Sequence, residues 1–357
     1  LVALFEEPAG VPDLDAHVVV VRLGTDLDLF ELDLDLVGLR SVHRLLDTAV
    51  SYEGSLRLRD WLTAPLPDSQ AVRARQQLVR ELAPLHLFRD KLTLNAMAAT
   101  GAKKTWQANH LVAWLEEHAP ESSLGLWLIL STFLVLLNAG LVIANLAGLL
   151  PAWWQITVVL VLGLWLIRSR ATEGAWDQAR ALQGALQQLH AVFRQLEGCA
   201  GHDAGRRTPA LAALCAPLAD ADHRPSRYLG RASRLVTAMG LRANPFIALG
   251  LNLVLPWDAY LIYRLNQTKA SLARHVPAWM EIWFDLEALG SLANLAYLNP
   301  AYAFPRVVPA ADLVEGPVLR AEALGHPLNP DEERVCNDLA IPELGQVTVI
   351  TGSNMAG

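Results

Sequence analysis

The sequence predicts a mainly α-helical protein: a helical body, an apolar helical hairpin set into it, and the start of an α/β segment near the end. Three observations carry this reading. Residues 122–167 hold no charged side chain, 46 consecutive positions in a chain of 357. Through most of the remainder, apolar residues recur at spacings of three and four, as they do in helices that bury one face. Near the end this period breaks, and residues 347–350 read Val-Thr-Val-Ile, a β-branched run that favours a strand. With 53% apolar and 18% charged residues and a mean hydropathy of +0.26, a disordered or collagen-like chain is excluded. The length calls for at least two structural units.

Taken in order, residues 1–60 carry 5 Arg against 12 Asp and Glu, while the rest of the chain is balanced at 24 of each sign. The net charge of −7 therefore belongs to the amino-terminal part. A generally basic nucleic-acid binder is excluded, and any anion-binding surface has to be local. Residues 25–36 alternate Leu with Asp, which reads as a solvated acidic face rather than a metal site. Helical spacing covers 41–50, 56–63, 69–82 and 111–117, with Asp68-Ser69 as the N-cap of the third.

Within the uncharged run, residues 124–144 are broken only by Ser131, Thr132 and Asn138 among polar side chains. Asn, Gly and Pro supply a turn over 145–151, and 152–167 is apolar again up to Arg168-Ser169-Arg170. A membrane-crossing helix needs about 20 apolar residues; the first run meets this and the second falls slightly short. Trp127 and Trp165 are expected at one interface and Trp153 and Trp154 at the other. Arg168 and Arg170 favour a cytosolic exit, which leaves both flanks of the hairpin in the cytosol. The alternative is a buried hairpin in a soluble protein. A second apolar stretch, 245–265, contains Pro256 and Asp258. A carboxylate within a span costs several kcal/mol, so this stretch reads as a buried core helix, with a further membrane element as the alternative.

Helical spacing resumes over 173–196, 228–239 and 269–298. Arg224, Arg227, Arg231 and Arg234, spaced 3, 4 and 3, fall on one face of a helix and suit phosphates of DNA or of anionic lipid headgroups, or form a solvated face. Cys199, Cys215 and Cys336 are far apart in sequence and show no metal or disulfide spacing. Proline and glycine punctuate 305–309 and 325–330, and His326 in Gly-His-Pro reads as a turn residue.

After the strand-like run, Gly352 and Gly357 are separated by four residues, the first part of a P-loop, in which glycines let backbone N–H groups face phosphates. The stretch Ile350-Thr351-Gly352-Ser353-Asn354-Met355-Ala356-Gly357 resembles the nucleotide-binding motif of the MutS family of DNA mismatch-repair ATPases, usually written TGPNMxGKS. Ser353 stands where that family usually has Pro, a variant similar to a bacterial subgroup of membrane-anchored MutS-related proteins. Gly325-His326-Pro327-Leu328 and Val335-Cys336-Asn337-Asp338 resemble the entry to the same ATPase domain. Ser41-Val42-His43-Arg44-Leu45-Leu46-Asp47, Gly54, Trp61-Leu62-Thr63-Ala64-Pro65-Leu66 and Arg75-Gln76 are similar to the start of the family's core. Leu286-Glu287-Ala288-Leu289-Gly290-Ser291-Leu292-Ala293 and Asn299-Pro300 look like the membrane-anchored subgroup.

The resemblance implies a MutS-like core over 1–120, a transmembrane hairpin over 121–170, a lever and core continuation over 171–305, and the beginning of a P-loop ATPase domain over 306–357. It further implies ATP and Mg²⁺ as cofactors, with Gly352, Ser353, Asn354, Met355, Ala356 and Gly357 holding nucleotide. DNA and membrane lipid are the expected partners, and a homodimer the expected assembly. The mismatch-reading domain of the repair proteins has no counterpart here. The chain begins without Met and stops before the lysine and Mg²⁺-binding hydroxyl of the motif, so it reads as a fragment expected to be inactive in ATP hydrolysis. A membrane scaffold with a nucleotide-sensing P-loop is the alternative, and a soluble repair protein a third reading.

Overall fold

The computed structural model describes residues 34–64, 68–100, 121–199, 208–220, 224–307 and 319–342, with Glu31 and Leu115 as isolated positions. Among the described residues it is mainly helical, with ten α-helices and one two-stranded sheet. The first three helices begin at side chains that satisfy their free N–H groups. Ser41 accepts from the N–H of Arg44 to open α1 (Val42–Leu46), and Ser51 from that of Gly54 to open α2 (Tyr52–Thr63). Asp68 accepts from Gln70 and Ala71 to open α3 (Ser69–Leu82), as the sequence predicts. Helix α1 is shorter than the predicted 41–50. Asp47 leaves the helix and turns its carboxylate onto the Ala49 N–H (3.0 Å) and the Ser55 hydroxyl (2.6 Å).

Helix α4 (His86–Thr100) has no counterpart among the predicted elements, because its apolar stripe is blurred: Leu92 and Ala96 turn into the core, but so does an arginine. Arg89 is buried and donates to the carbonyls of Leu82 and Ala83 at the end of α3 and to Asn294, while Leu87, Leu94 and Met97 face outward. Next come α5 (Glu121–Leu146) and α6 (Trp154–Cys199), joined by a turn in which Gly148 takes φ +73°. The two helices pack together, and Thr157 donates to Asn138 Oδ1 across them at 2.8 Å, both residues being buried. Helix α6 continues for 46 residues without a break, from the hairpin into the body.

Helices α7 (Pro209–Ala219) and α8 (Pro225–Met239) pack on α6, and a 3₁₀ turn (Gly240–Ala243) leads to α9 (Pro245–Val254) and the 42-residue α10 (Trp257–Leu298). Residues 245–265 are thus not the one buried helix that the sequence predicts. Pro256 has no N–H to continue the ladder, and α9 meets α10 at a bend of 86°. Phe246 and Val254 are 85% and 70% exposed.

The core lies between α6 and α10. Leu186, Leu189, Phe193 and Leu196 of α6 meet Leu229, Ala232 and Val236 of α8 and Leu272, Trp279 and Trp283 of α10. Phe193 stands edge-on to Trp283 at 6.2 Å between ring centres. Helices α2 and α3 cover the carboxyl-terminal half of α10. Beyond it, β1 (Leu319–Leu324) and β2 (Asn337–Ile341) pair antiparallel, with Leu319 opposite Ile341 and an irregularity between Ala321 and Leu324. Neither strand carries the β-branched alternation that marks strands in sequence. The predicted strand at 347–350 lies outside the described residues, as does the predicted helix 111–117 apart from Leu115.

Candidate functional site

Gly352, Ser353, Asn354, Met355, Ala356 and Gly357 lie outside the described residues. The segment that leads toward them is organised by Arg334. Its guanidinium donates to the carbonyls of His326 (2.9 Å) and Asn329 (2.6 Å) and to the Tyr302 hydroxyl (2.7 Å), and pairs with Asp331 at 2.7 Å. One side chain thereby ties the end of α10 to the loop between β1 and β2. A Cβ on Gly325 would run into Arg334 and stand 2.8 Å from Cys336 Sγ, so the close approach requires glycine there. His326 occupies a turn, its carbonyl accepting from Asn329, as its Gly-His-Pro setting predicts.

The arginine face is borne by α8. Glu197 of α6 accepts from both the N–H and the hydroxyl of Ser226 (2.7 Å each), which fixes the start of the helix. Pro225, Leu229, Ala232, Val236 and Met239 turn into the core. Arg224, Arg227, Arg231 and Arg234 lie on the opposite side, so the predicted stripe is present. It is not uniform. Arg227 and Arg234 line a groove of about 440 Å³ with His190, Ser226, Gly230 and Ser233. Arg231 instead lies over the Tyr228 ring at 6.0 Å. Tyr228 packs with His275 and Trp279, ring centres 5.6 and 6.0 Å away, and Trp279 is buried, so this aromatic group belongs to the core. His190 sits 36 residues before Ser226 in sequence. Its Nδ1 is buried with no hydrogen-bond partner among the described residues. No spacing rule ties it to the stripe; only the pairing of α6 with α8 does.

A second polar group is buried in the body. Glu287 of α10 accepts from both the hydroxyl and the N–H of Ser51, the latter at 3.2 Å. A Cβ on Gly54 would run into Glu287 Oε2 and stand 2.9 Å from Ser51 Oγ. Burial pushes the Glu287 carboxyl up to about 7, against the hydrogen bonds from Ser51 and the Val50 backbone, with Asp47 adding to the rise. One turn on, Ser291 accepts from the Thr48 N–H at 3.1 Å. This group ties α10 to the α1–α2 connection, and the cavity beside it, lined by Thr48, Arg89, Glu287 and Asn294, measures only about 20 Å³, so its role is positional. Among the described residues, no group of three or more His, Cys, Asp or Glu is placed to hold a metal ion. Cys199 and Cys215, distant in sequence, are both buried in the core as free thiols in contact with one another.

Compared with known proteins, the chain matches no family model, no curated protein and no solved structure.

Around the hairpin the geometry is chemically plain. Helix α5 offers residues 124–146, long and apolar enough to cross a membrane, and only 17% of its most apolar stretch is buried. Leu126, Ile129, Phe133, Leu136 and Ile143 are each 60–68% exposed. Trp127 and Trp165 line one cavity at the end of the hairpin away from the turn, and both face protein. Trp153 is exposed at the turn, but Trp127 is buried and Trp165 donates its indole N–H to Asp258 at 2.9 Å.

Proposed function

We propose that this chain is the membrane-anchored body of a MutS-like, ATP-dependent DNA-binding protein. Its hairpin sits in the cytoplasmic membrane with both flanks in the cytosol, and it works as a homodimer around nucleic acid. The membrane half of this reading rests on one observation, the outward-facing apolar surface of α5. A hairpin buried in a soluble protein would hide those side chains, because exposing them to water forfeits roughly 25 cal/mol for each Å². The nucleotide half rests on the likeness of residues 350–357 to the MutS motif, with ATP cradled by Gly352–Gly357 and Mg²⁺ held by groups that follow.

The arginine face supports nucleic acid over lipid as its phosphate source. His190 lies 23 residues after Ile167 on the unbroken α6, about 35 Å along the helix. Headgroup layers are only about 5–8 Å deep on each side of the hydrocarbon. A groove at that height meets phosphates in the cytosol.

Two measurements test the reading. Reporter fusions before Leu124 and after Arg170 are expected on the cytosolic side and one at Gly148 on the opposite side; recovery of the whole protein in water without detergent overturns the membrane half. For the nucleotide half, the protein extended by the segment that the family likeness implies is expected to bind and hydrolyse ATP, and Gly357→Val to abolish both. A folded, extended protein that ignores ATP removes the ATPase reading and leaves the membrane scaffold.

A further inference from the structure

The hairpin is not the only part of the chain whose surface suits hydrocarbon. From Ala243 to Trp257 no residue is charged, a run of 15 positions that covers all of α9 and its turn into α10. Helix α9 buries Ala248 and Asn252 on one side and exposes Phe246, Ile247 and Val254 on the other, with Leu255 exposed in the turn. Its position along the hairpin is given by what it touches. Asn252 and Pro256, with Ala259 of α10, close a small cavity against Ser131, Val135, Val161 and Trp165. Val161 lies six residues inside the end of the apolar run at Ile167, about 9 Å along the helix. A bilayer that surrounds the hairpin therefore reaches the turn between α9 and α10 as well.

Such a turn is tolerated at that depth only if its polar groups are satisfied within the protein. Most backbone N–H groups of the turn are met locally, while the Trp257 indole N–H is buried without a hydrogen-bond partner among the described residues. Leu255 donates to Leu251 O at 2.7 Å, Trp257 to Leu255 O at 2.7 Å, and Tyr260 to Pro256 O at 2.9 Å. The Asp258 N–H donates to the side-chain oxygen of Asn252 at 3.0 Å, and Asn252 Nδ2 returns to Ala248 O at 2.9 Å. Pro256 has no N–H to satisfy. The one charged side chain near the bend, Asp258, is 2% exposed and is held by the Trp165 indole. An intramembrane carboxylate faces protein and takes a hydrogen-bonding partner in this way.

We propose that residues 245–265 form a third membrane element, a re-entrant elbow that dips into the cytosolic leaflet beside the hairpin and contacts acyl chains through Phe246, Ile247, Val254 and Leu255. This rests on the membrane reading of the hairpin. Both ends of the elbow return to the cytosolic side: α8 precedes it, and the buried half of α10 follows.

The test uses the whole protein with Cys199, Cys215 and Cys336 replaced by Ser, reconstituted in phosphatidylethanolamine–phosphatidylglycerol vesicles. Single cysteines at Val254 and Phe246 carry an environment-sensitive fluorophore, with Leu136→Cys as the hairpin control and Arg234→Cys as the cytosolic one. Lipids bearing a doxyl quencher on the acyl chain are expected to quench the probes at 254 and 246 as strongly as the probe at 136, and to leave the one at 234 bright. Quenching at 136 with none at 254 and 246 overturns the elbow while the hairpin stands. No quenching at 136 overturns the hairpin and the elbow with it. Should the cysteine-free protein fail to fold, scanning Val254→Arg and Phe246→Arg in the unaltered chain serves instead. The hairpin still anchors such variants, so the elbow requires a lowered urea midpoint in vesicles, and an unchanged midpoint overturns it.

Discussion

The first third of α6 and the second half of α10 are opposite in environment. Both are rich in large apolar side chains, Trp among them. In α6, Ile156, Val159, Leu160 and Ile167 are more than half exposed; in α10, Trp283, Leu286 and Leu289 are at most 2% exposed. The polar residues differ in kind as well. The hairpin's buried polar pair, Asn138 with Thr157, is uncharged and bridges two helices, whereas α10 buries a carboxylate, Glu287, among serines and backbone N–H groups. The lesson is that apolar content alone does not say which solvent a helix is built for. The direction of its side chains, and the charge of the polar groups it tolerates, do.

The strongest way to break this comparison is to place charge on the outward face of α5. Phe133→Arg with Leu136→Arg is expected to cost about 5–7 kcal/mol of insertion free energy, at roughly 2.5–3.5 kcal/mol for each arginine near a span's centre. Carbonate extraction of membranes reads the loss. If that face meets water instead, the same pair leaves stability unchanged and improves solubility, and the contrast with α10 disappears. On the buried side, Trp283→Ala is expected to destabilise the body by about 3–5 kcal/mol, read as a lower urea midpoint in detergent micelles.

A smaller effect separates the two kinds of polar group. The Glu287 carboxyl sits at about 7 in the folded protein against an ordinary 4.5. Between those values the folded state keeps a proton that the unfolded chain releases. Stability contributed by this group is therefore full below about pH 4.5, declines as pH rises, and levels off above about pH 7, with a total change of about 3 kcal/mol. Glu287→Gln is expected to remove that part of the decline, measured as urea midpoints at pH 5 and pH 7.5. Burial shifts Asp285 in the same direction, so a residual slope from it remains. An unaltered slope in the variant shows that Glu287 is ionised in the fold.

The smallest effect on stability belongs to the arginine face. Replacing Arg224, Arg227, Arg231 and Arg234 together by Gln is expected to change stability by no more than about 0.5 kcal/mol for each surface site. On the proposed DNA-binding reading, the same variant is expected to weaken DNA binding and to flatten its salt dependence by nearly one unit of slope for each phosphate that is no longer neutralised. Unchanged DNA affinity with weakened vesicle binding reassigns the face to lipid.

How much of this could be read beforehand varied with how local the cause was. Helix α3 was legible to the residue because Asp68 caps it and its apolar positions follow one stripe. The arginine face was legible from its 3, 4, 3 spacing, although α8 begins at Pro225 rather than 228 and its N-cap Arg224 makes no capping bond. Helix α2 begins at Tyr52 rather than 56, since Ser51 caps it and Gly54 must pass close to Glu287, a residue 233 positions away. Helix α4 was hidden by an inward arginine and outward leucines. The long α10 begins at Trp257 rather than 269, because Asp258, Asn266 and Lys269 turn inward and blur the apolar period. For the groove beside Arg227 and Arg234, His190 comes from another helix, and for the elbow, the partner of Asp258 is Trp165 on the hairpin; neither pairing leaves a mark in local sequence.

Helix α6 has a mechanical consequence. Its 46 residues form one shaft about 69 Å long at 1.5 Å per residue. No proline interrupts it and no break divides the hairpin from the body. Torque applied at either end is transmitted rather than absorbed. If the apolar third is held in lipid, as proposed, the 32 residues from Ile167 to Cys199 make an arm of about 48 Å. A tilt of about 10° at the clamp sweeps its far end through about 8 Å, roughly the spacing of two packed helices. On the proposed membrane reading, a displacement of the body would reach the bilayer as a change of tilt.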